Sequence, residues 1–211
     1  MKNQLKQSPI QIVKQKHYFY YFCCWIKSIY FDYKLAGFSL DKTIFNCVDG
    51  VYPVQSIQYV YIKEIVSKVE FGEEDVFVDV GCAWGRMIGY LKNHTKIKKY
   101  YGIELNSAVA KQALKIFKND SSVFIIQGNI IDNIPDDGTV FYLFNPFNEN
   151  VLEQFIESLE EKMHHSIKLL YLYPTCKEIL DKRKGWILEQ EVLLKPKHFG
   201  TLSLCVYKNE L

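Results

Sequence analysis

The 211-residue chain is 48% hydrophobic and 24% charged, an ordinary balance for one globular domain with a full core plus an appendage. Its 26 basic and 24 acidic side chains leave a net charge of +2, which removes any overall electrostatic case for a nucleic-acid partner. Cysteines at 23, 24, 47, 82, 176 and 205 show no C-x-x-C or Cys/His spacing; no metal site or disulfide framework is expected, and reduced thiols in the cytoplasm are.

Residues 1–50 read as a cap segment of basic and aromatic character. Up to Phe31 they contain no acid, and Lys2, Lys6, Lys14, Lys16 and Lys27 stand beside Tyr18, Phe19, Tyr20, Tyr21, Phe22, Trp25, Tyr30 and Phe31. The stretch YFYYFCCWIKSIYF is interrupted by Lys27 and is too short to span a bilayer core of roughly 30 Å. No signal-peptide cleavage pattern accompanies it. One reading is a basic aromatic element that lies on a membrane surface, with residues 1–31 as a peripheral contact, or that contacts an acidic or nucleic-acid substrate. The other is a helix that packs its rings on the domain or on a second copy in a homodimer, the commoner use of an aromatic stripe.

From Val54, apolar residues at Ile57, Val60, Tyr61, Ile65 and Val69 share one helical face, which predicts an amphipathic helix. Strand and helix signals then alternate. Strands are expected at Val76–Val80, Tyr100–Glu104, Val123–Gln127, Val140–Phe144, Lys168–Tyr173, Trp186–Leu194 and Leu202–Lys208. Helices are expected near Gly85–Asn93, Ser107–Asn119, Val151–His164 and Thr175–Arg183, with Ser107 and Thr175 as caps. Alternation of this kind argues an α/β fold with a mainly parallel sheet wrapped on both faces. The link KPKHFG is too short for a crossover helix, so the last two strands form an antiparallel hairpin at one edge.

The run VDVGCAWGR raises a specific question, because Asp79 is an acid in a strand otherwise buried on both faces. In a doubly wound sheet, ligands sit beyond the carboxyl ends of the strands where strand order reverses, and the first glycine turn lies there. Gly81 permits a tight bend and Gly85 opens a helix whose free N–H groups favour an anionic group. Glu104 closes the next strand, 23 residues after Gly81, where a carboxylate can accept hydrogen bonds from both hydroxyls of a ribose. Asp79 lies on the same strand face as Gly81 and can meet a cationic amine.

With these residues the sequence resembles the class I S-adenosylmethionine-dependent methyltransferases over 51–211, through VDVGCAWGR, GIELN, QGNI and LFNPF in the expected order. It is similar in particular to small bacterial members with FNPF after the fourth strand. The resemblance implies a Rossmann-like sheet of order 3-2-1-4-5-7-6 with the last strand antiparallel, S-adenosylmethionine as cofactor, and no large inserted substrate domain. It implies a methionine-side pocket from Asp79, Gly81, Cys82, Ala83 and Gly85, ribose binding by Glu104, and an adenine pocket from Leu105, Asn129 and Ile130. Ala83 stands where glycine is commoner, and Asn129 where many relatives carry an acid. Tyr52 reaches toward the cofactor.

At the end of the fourth strand, Asn145, Pro146 and Phe147 are the expected catalytic set. The Asn145 side-chain carbonyl and the backbone carbonyl beside Pro146 would accept from an amine, and Phe147 would cover a planar substrate. The related nitrogen-directed motif N-P-P-[YF] has its aromatic at the fourth position, whereas here the order is N-P-F-N. The expected activity is methyl transfer, most plausibly to a nitrogen, on a small-molecule or protein acceptor. A nicotinamide-dependent oxidoreductase, or a binding protein that keeps the pocket without turnover, are the alternatives.

Overall fold

The computed structural model of the chain describes residues 18–44 and 49–209, so Cys47 and the lysines at 2, 6, 14 and 16 lie outside the described residues. Helix α1 (Tyr18–Ala36) leads into a small antiparallel pair, β1 (Thr43–Ile44) with β2 (Val54–Gln55). There follow α2 (Tyr59–Lys68), β3 (Val76–Val80), α3 (Arg86–His94), β4 (Lys99–Glu104), α4 (Ser107–Ile116) and β5 (Val123–Gln127). A 3-10 turn (Ile130–Asp132), β6 (Val140–Phe144), α5 (Glu149–Lys162), β7 (Lys168–Leu172), α6 (Glu178–Asp181), β8 (Trp186–Leu194) and β9 (Leu202–Asn209) complete the chain.

Seven strands form one sheet in the order β5-β4-β3-β6-β7-β9-β8. Counted from β3 this is 3-2-1-4-5-7-6. Neighbours from β5 through β7 run parallel, and β9 is antiparallel to both β7 and β8. The strands carry near-continuous apolar runs because both faces are covered. Phe77, Tyr100, Tyr142 and Leu170 point into one core with Ile62 and Ile65 of α2 and Ile88 and Leu91 of α3. Val78, Val80, Phe141 and Leu143 point into the other, against Leu152, Phe155, Ile156 and Leu159 of α5. By the period of two, Asp79 shares the Phe77 face, beneath α3.

The predicted helix from Val54 starts later. Val54 and Gln55 pair with Ile44 and Thr43 as a strand, and the Ile57 carbonyl accepts from Arg86 Nη1 at 2.9 Å instead of opening a helical turn. The caps also differ. Asn106, not Ser107, caps α4 by accepting from the N–H groups of Ala108 and Val109. Thr175 caps nothing, since α6 is a single short turn begun at Lys177 without a side-chain cap.

The cap helix is joined to the sheet domain by a buried ion pair. Asp32 and Arg86 are fully enclosed, with Arg86 Nη2 and Nε donating to the two Asp32 carboxylate oxygens at 2.7 and 3.1 Å. Tyr59 Oη and the Leu40 N–H also donate to Asp32, and Arg86 Nη2 reaches Asp41 at 2.7 Å. Both carboxylate oxygens of Asp32 and all three guanidinium nitrogens of Arg86 are thus engaged, the condition under which a buried ion pair holds. Tyr21 stacks on Phe199 and Phe31 meets Tyr59. The opposite side of α1 leaves Phe22, Trp25, Ile26, Tyr30 and Tyr33 exposed. Among the described residues no helix is long and apolar enough to cross a membrane.

Candidate active site

The turn after β3 reverses the chain within five residues, which demands unusual backbone. Gly81 has φ +75° and Gly85 φ +80°, and a Cβ at Gly85 would lie 2.4 Å from the Phe117 ring. Ala83 holds φ +50°, a left-handed conformation that explains why glycine suits this position better. Gly81 and Cys82 donate their N–H groups to the Ile103 carbonyl at 2.9 and 3.0 Å, fastening the turn to the end of β4.

Glu104 closes β4 and is 3% exposed. One carboxylate oxygen accepts from the Ala83 N–H at 2.9 Å and the other from the Asn106 N–H at 2.8 Å. Burial pushes its pKa up, and those backbone donors pull it back. Asp79, one strand away, has no such donors. Burial first, and the Glu104 charge second, push it up to about 8, so Asp79 carries a proton at neutral pH.

Two adjacent spaces open here. A cleft of about 200 Å³ is lined by Tyr52, Gly81, Glu104, Leu105, Asn129, Ile130, Asn145, Pro146 and Phe147, together with Gln55 and Gln154. A smaller cavity of about 20 Å³ is lined by Asp79, Gly81, Cys82, Ala83, Ser56, Arg86 and Tyr142. Gln55, Gly81 and Phe144 belong to both walls. The structure therefore brings the expected residues together around one opening except Gly85, which lines neither space and serves as the N-cap of α3.

Several side chains have roles the sequence did not suggest. The Tyr142 hydroxyl and Ser56 Oγ are buried beside Asp79 without a hydrogen-bond partner, and an unpaired buried polar group is costly. Arg86 lines the same cavity but its guanidinium is engaged by Asp32 and Asp41. Two buried acids thus face the opening without a cation of their own among the described residues. Asn129 caps the 3-10 turn by accepting from the Ile131 N–H, which orients it in the wall beneath the cleft.

Asn145 departs from expectation. Its backbone is left-handed at φ +41°, and its side-chain oxygen accepts from Tyr171 Oη at 3.0 Å and Thr175 Oγ1 at 2.8 Å. The carbonyl expected to grip a substrate amine is already occupied. Phe147 is 7% exposed and meets Phe155 at 5.8 Å between ring centroids, so it forms the floor of the cleft and not a free cover. Tyr171 and Thr175 lie 26 and 30 residues beyond Asn145, and no local motif marks them.

Three lines of comparison bear on this geometry. A family model described as histone methylation protein DOT1 matches residues 49–140, the span that holds the glycine turn and both acids. No curated protein matches the chain. Among solved structures, the B. subtilis m1A22 tRNA methyltransferase is similar with a TM-score of 0.59 at 15% identity, over 71% of this chain and 65% of that one. The chain thus spans slightly under two thirds of that protein. A Streptococcus pneumoniae putative tRNA (m1A22) methyltransferase in complex with S-adenosyl-L-methionine gives 0.56 at 15% identity, over 70% of this chain and 71% of that one. The mitomycin 7-O-methyltransferase gives 0.57 at 13%, over 71% and 53%. The strand order with its single antiparallel strand, the glycine turn and the two strand-end acids meet in one fold, which the chain shares with these methyltransferases.

Proposed function

We propose that the chain binds S-adenosylmethionine across the two adjacent spaces and transfers its methyl group to an acceptor seated at Asn145. The observation that carries this reading is the buried, cation-free acid pair, Asp79 and Glu104, set on either side of the Gly81 turn. The residues present suit that cofactor. An amino-acid end placed by Asp79 would give the orphaned Tyr142 hydroxyl and Ser56 Oγ their missing partners, and its ammonium would favour the ionised Asp79. Glu104 keeps lone pairs for a ribose diol after taking its two backbone bonds. Leu105, Asn129 and Ile130 offer a mixed apolar and amide wall for the base.

When bound, the cofactor supplies a methyl carbon on a positively charged sulfur, which takes the acceptor's lone pair as the carbon–sulfur pair returns to sulfur. The protein's own task is alignment and exclusion of water. Pro146 and Phe147 hold the cleft floor, and Tyr52 stands at its mouth, 43% exposed. The backbone of Tyr52 is tied to the Pro146 carbonyl at 2.9 Å, so the lip and the floor of the cleft are set together.

The similar structures carry names that include both a tRNA and an O-methyl acceptor, so the fold leaves the acceptor open. The small-molecule or protein acceptor expected from the sequence stays a proposal, and one of the two grounds for preferring an amine, a free Asn145 side-chain carbonyl, is absent. The test is calorimetry with adenosylmethionine, adenosylhomocysteine and NAD, followed by transfer of labelled methyl into fractionated host extract. Binding of the first two with label in an extract pool is expected. Tight NAD binding overturns the cofactor, and cofactor binding without any label favours a pocket that no longer turns over.

A further inference from the structure

We infer that the acceptor presents an oxygen lone pair, not an N–H group, to Asn145, and that Tyr171 and Thr175 are the positioning residues that impose this choice. This deepens the function proposed above and rests on it. Asn145 sits at the end of β6, in the wall of the cleft, and its amide has one accepting end and one donating end. The accepting end is taken twice, by Tyr171 Oη at 3.0 Å and by Thr175 Oγ1 at 2.8 Å.

The reverse orientation is poorer. The Tyr171 hydroxyl has one proton to donate, and the Asn145 oxygen is the acceptor it reaches. The Thr175 hydroxyl donates to the same oxygen, with the Tyr171 oxygen and, at 3.7 Å, the Cys176 sulfur beside it. Turning the amide over would take the shared acceptor from both hydroxyls. With the oxygen held, the amide nitrogen is left for the cleft, and among the described residues it has no partner.

A donor in that place discriminates by chemistry. An amine or exocyclic NH₂ would set N–H against N–H, leaving both unpaired at a desolvated site. An oxygen has more than one lone pair: it can take the Asn145 proton on one and either attack with another or stand beside the attacking atom as a carbonyl. A ring nitrogen has a single in-plane pair and could not do both, so a ring-nitrogen acceptor would need an adjacent oxygen to meet Asn145.

The experiment loads the full chain with adenosylhomocysteine and measures binding of two probes of like shape, 4-nitrophenolate and 4-nitroaniline. The wild type should prefer the phenolate by about tenfold or more, the value of one charge-assisted hydrogen bond. In the double variant Tyr171→Phe, Thr175→Val the amide is free to turn, and the preference should fall to within about threefold while adenosylhomocysteine affinity is kept. Thr175→Ser, which restores one hydroxyl, should keep the wild-type preference. Equal binding of the probes, preference for the aniline, binding of neither, or a double variant that discriminates like the wild type would each overturn the inference. Failure of adenosylhomocysteine itself to bind would overturn the function beneath it.

Discussion

In the half of the cleft proposed for the cofactor, Glu104 is oriented by backbone N–H groups of Ala83 and Asn106. In the half proposed for the acceptor, Asn145 is oriented by the side chains of Tyr171 and Thr175, which arrive from β7 and the loop after it. Backbone donors belong to the turn itself and survive most changes of side chain. Side-chain donors depend on a particular residue being carried to the right place by the sheet. The first half should therefore tolerate substitution around it and fail only when its acids change, whereas the second should lose selectivity through residues that touch no ligand.

The largest effect should come from behind the cofactor half. Asp32→Ala leaves the enclosed Arg86 guanidinium with the half-exposed Asp41 as its one acidic partner among the described residues, and loss of one member of a buried ion pair costs about 3–5 kcal/mol. Denaturant unfolding should show that loss; a change under about 1 kcal/mol would mean that α1 does not brace the glycine turn.

Asn145→Ala should bind adenosylmethionine nearly as well as the wild type but lose about a hundredfold in methyl transfer, because a lost alignment acts on the transition state. Equal rates in a single-turnover assay with any acceptor found would remove Asn145 from the reaction. Glu104→Ala should do the opposite, weakening adenosylmethionine and adenosylhomocysteine by roughly 1.5 to 3 kcal/mol. Calorimetric affinities that do not move would reject its contact with the ribose.

Asp79 should give the cofactor half a pH signature. Its carboxyl binds a proton more tightly in the folded protein, at about 8, than the ordinary 3.8. The stability it contributes to the free protein is therefore complete below about pH 4 and is lost as pH rises through about 8. Binding of an ammonium needs the ionised form, so adenosylmethionine affinity should rise by up to about tenfold per pH unit toward pH 8, with proton release at pH 7. Calorimetry in buffers of different ionisation enthalpy reads this directly, and Asp79→Asn should flatten both dependences. The smallest effect belongs to Ala83→Gly: relief of the left-handed backbone and the added freedom of the unfolded chain nearly offset, leaving stability within about 1 kcal/mol and cofactor affinity unchanged. A larger loss of affinity would show that the Ala83 methyl itself touches the ligand.

The sequence by itself determined the sheet and the position of the glycine turn and its two strand-end acids. Apolar runs between helical periods define β3 to β7 because strands covered on both faces can be little else, and an acid at a strand end two residues before a glycine turn is legible because its surroundings are so apolar. Local spacing also placed Glu104 at the end of β4, where its donors, Ala83 and Asn106, belong to the turns that flank it. Only the tertiary structure decided the rest. The start of α2 moved from Val54 to Tyr59 because β1 and Arg86 compete for its first turn, and the cap helix was anchored by an aspartate 54 residues from its arginine. Above all, the direction of the Asn145 amide was set by two hydroxyls on a different strand and loop. A side chain with a donor at one end and an acceptor at the other has no intrinsic polarity toward its ligand; the polarity comes from whichever end its neighbours take first, and those neighbours meet it only when β6 and β7 lie side by side.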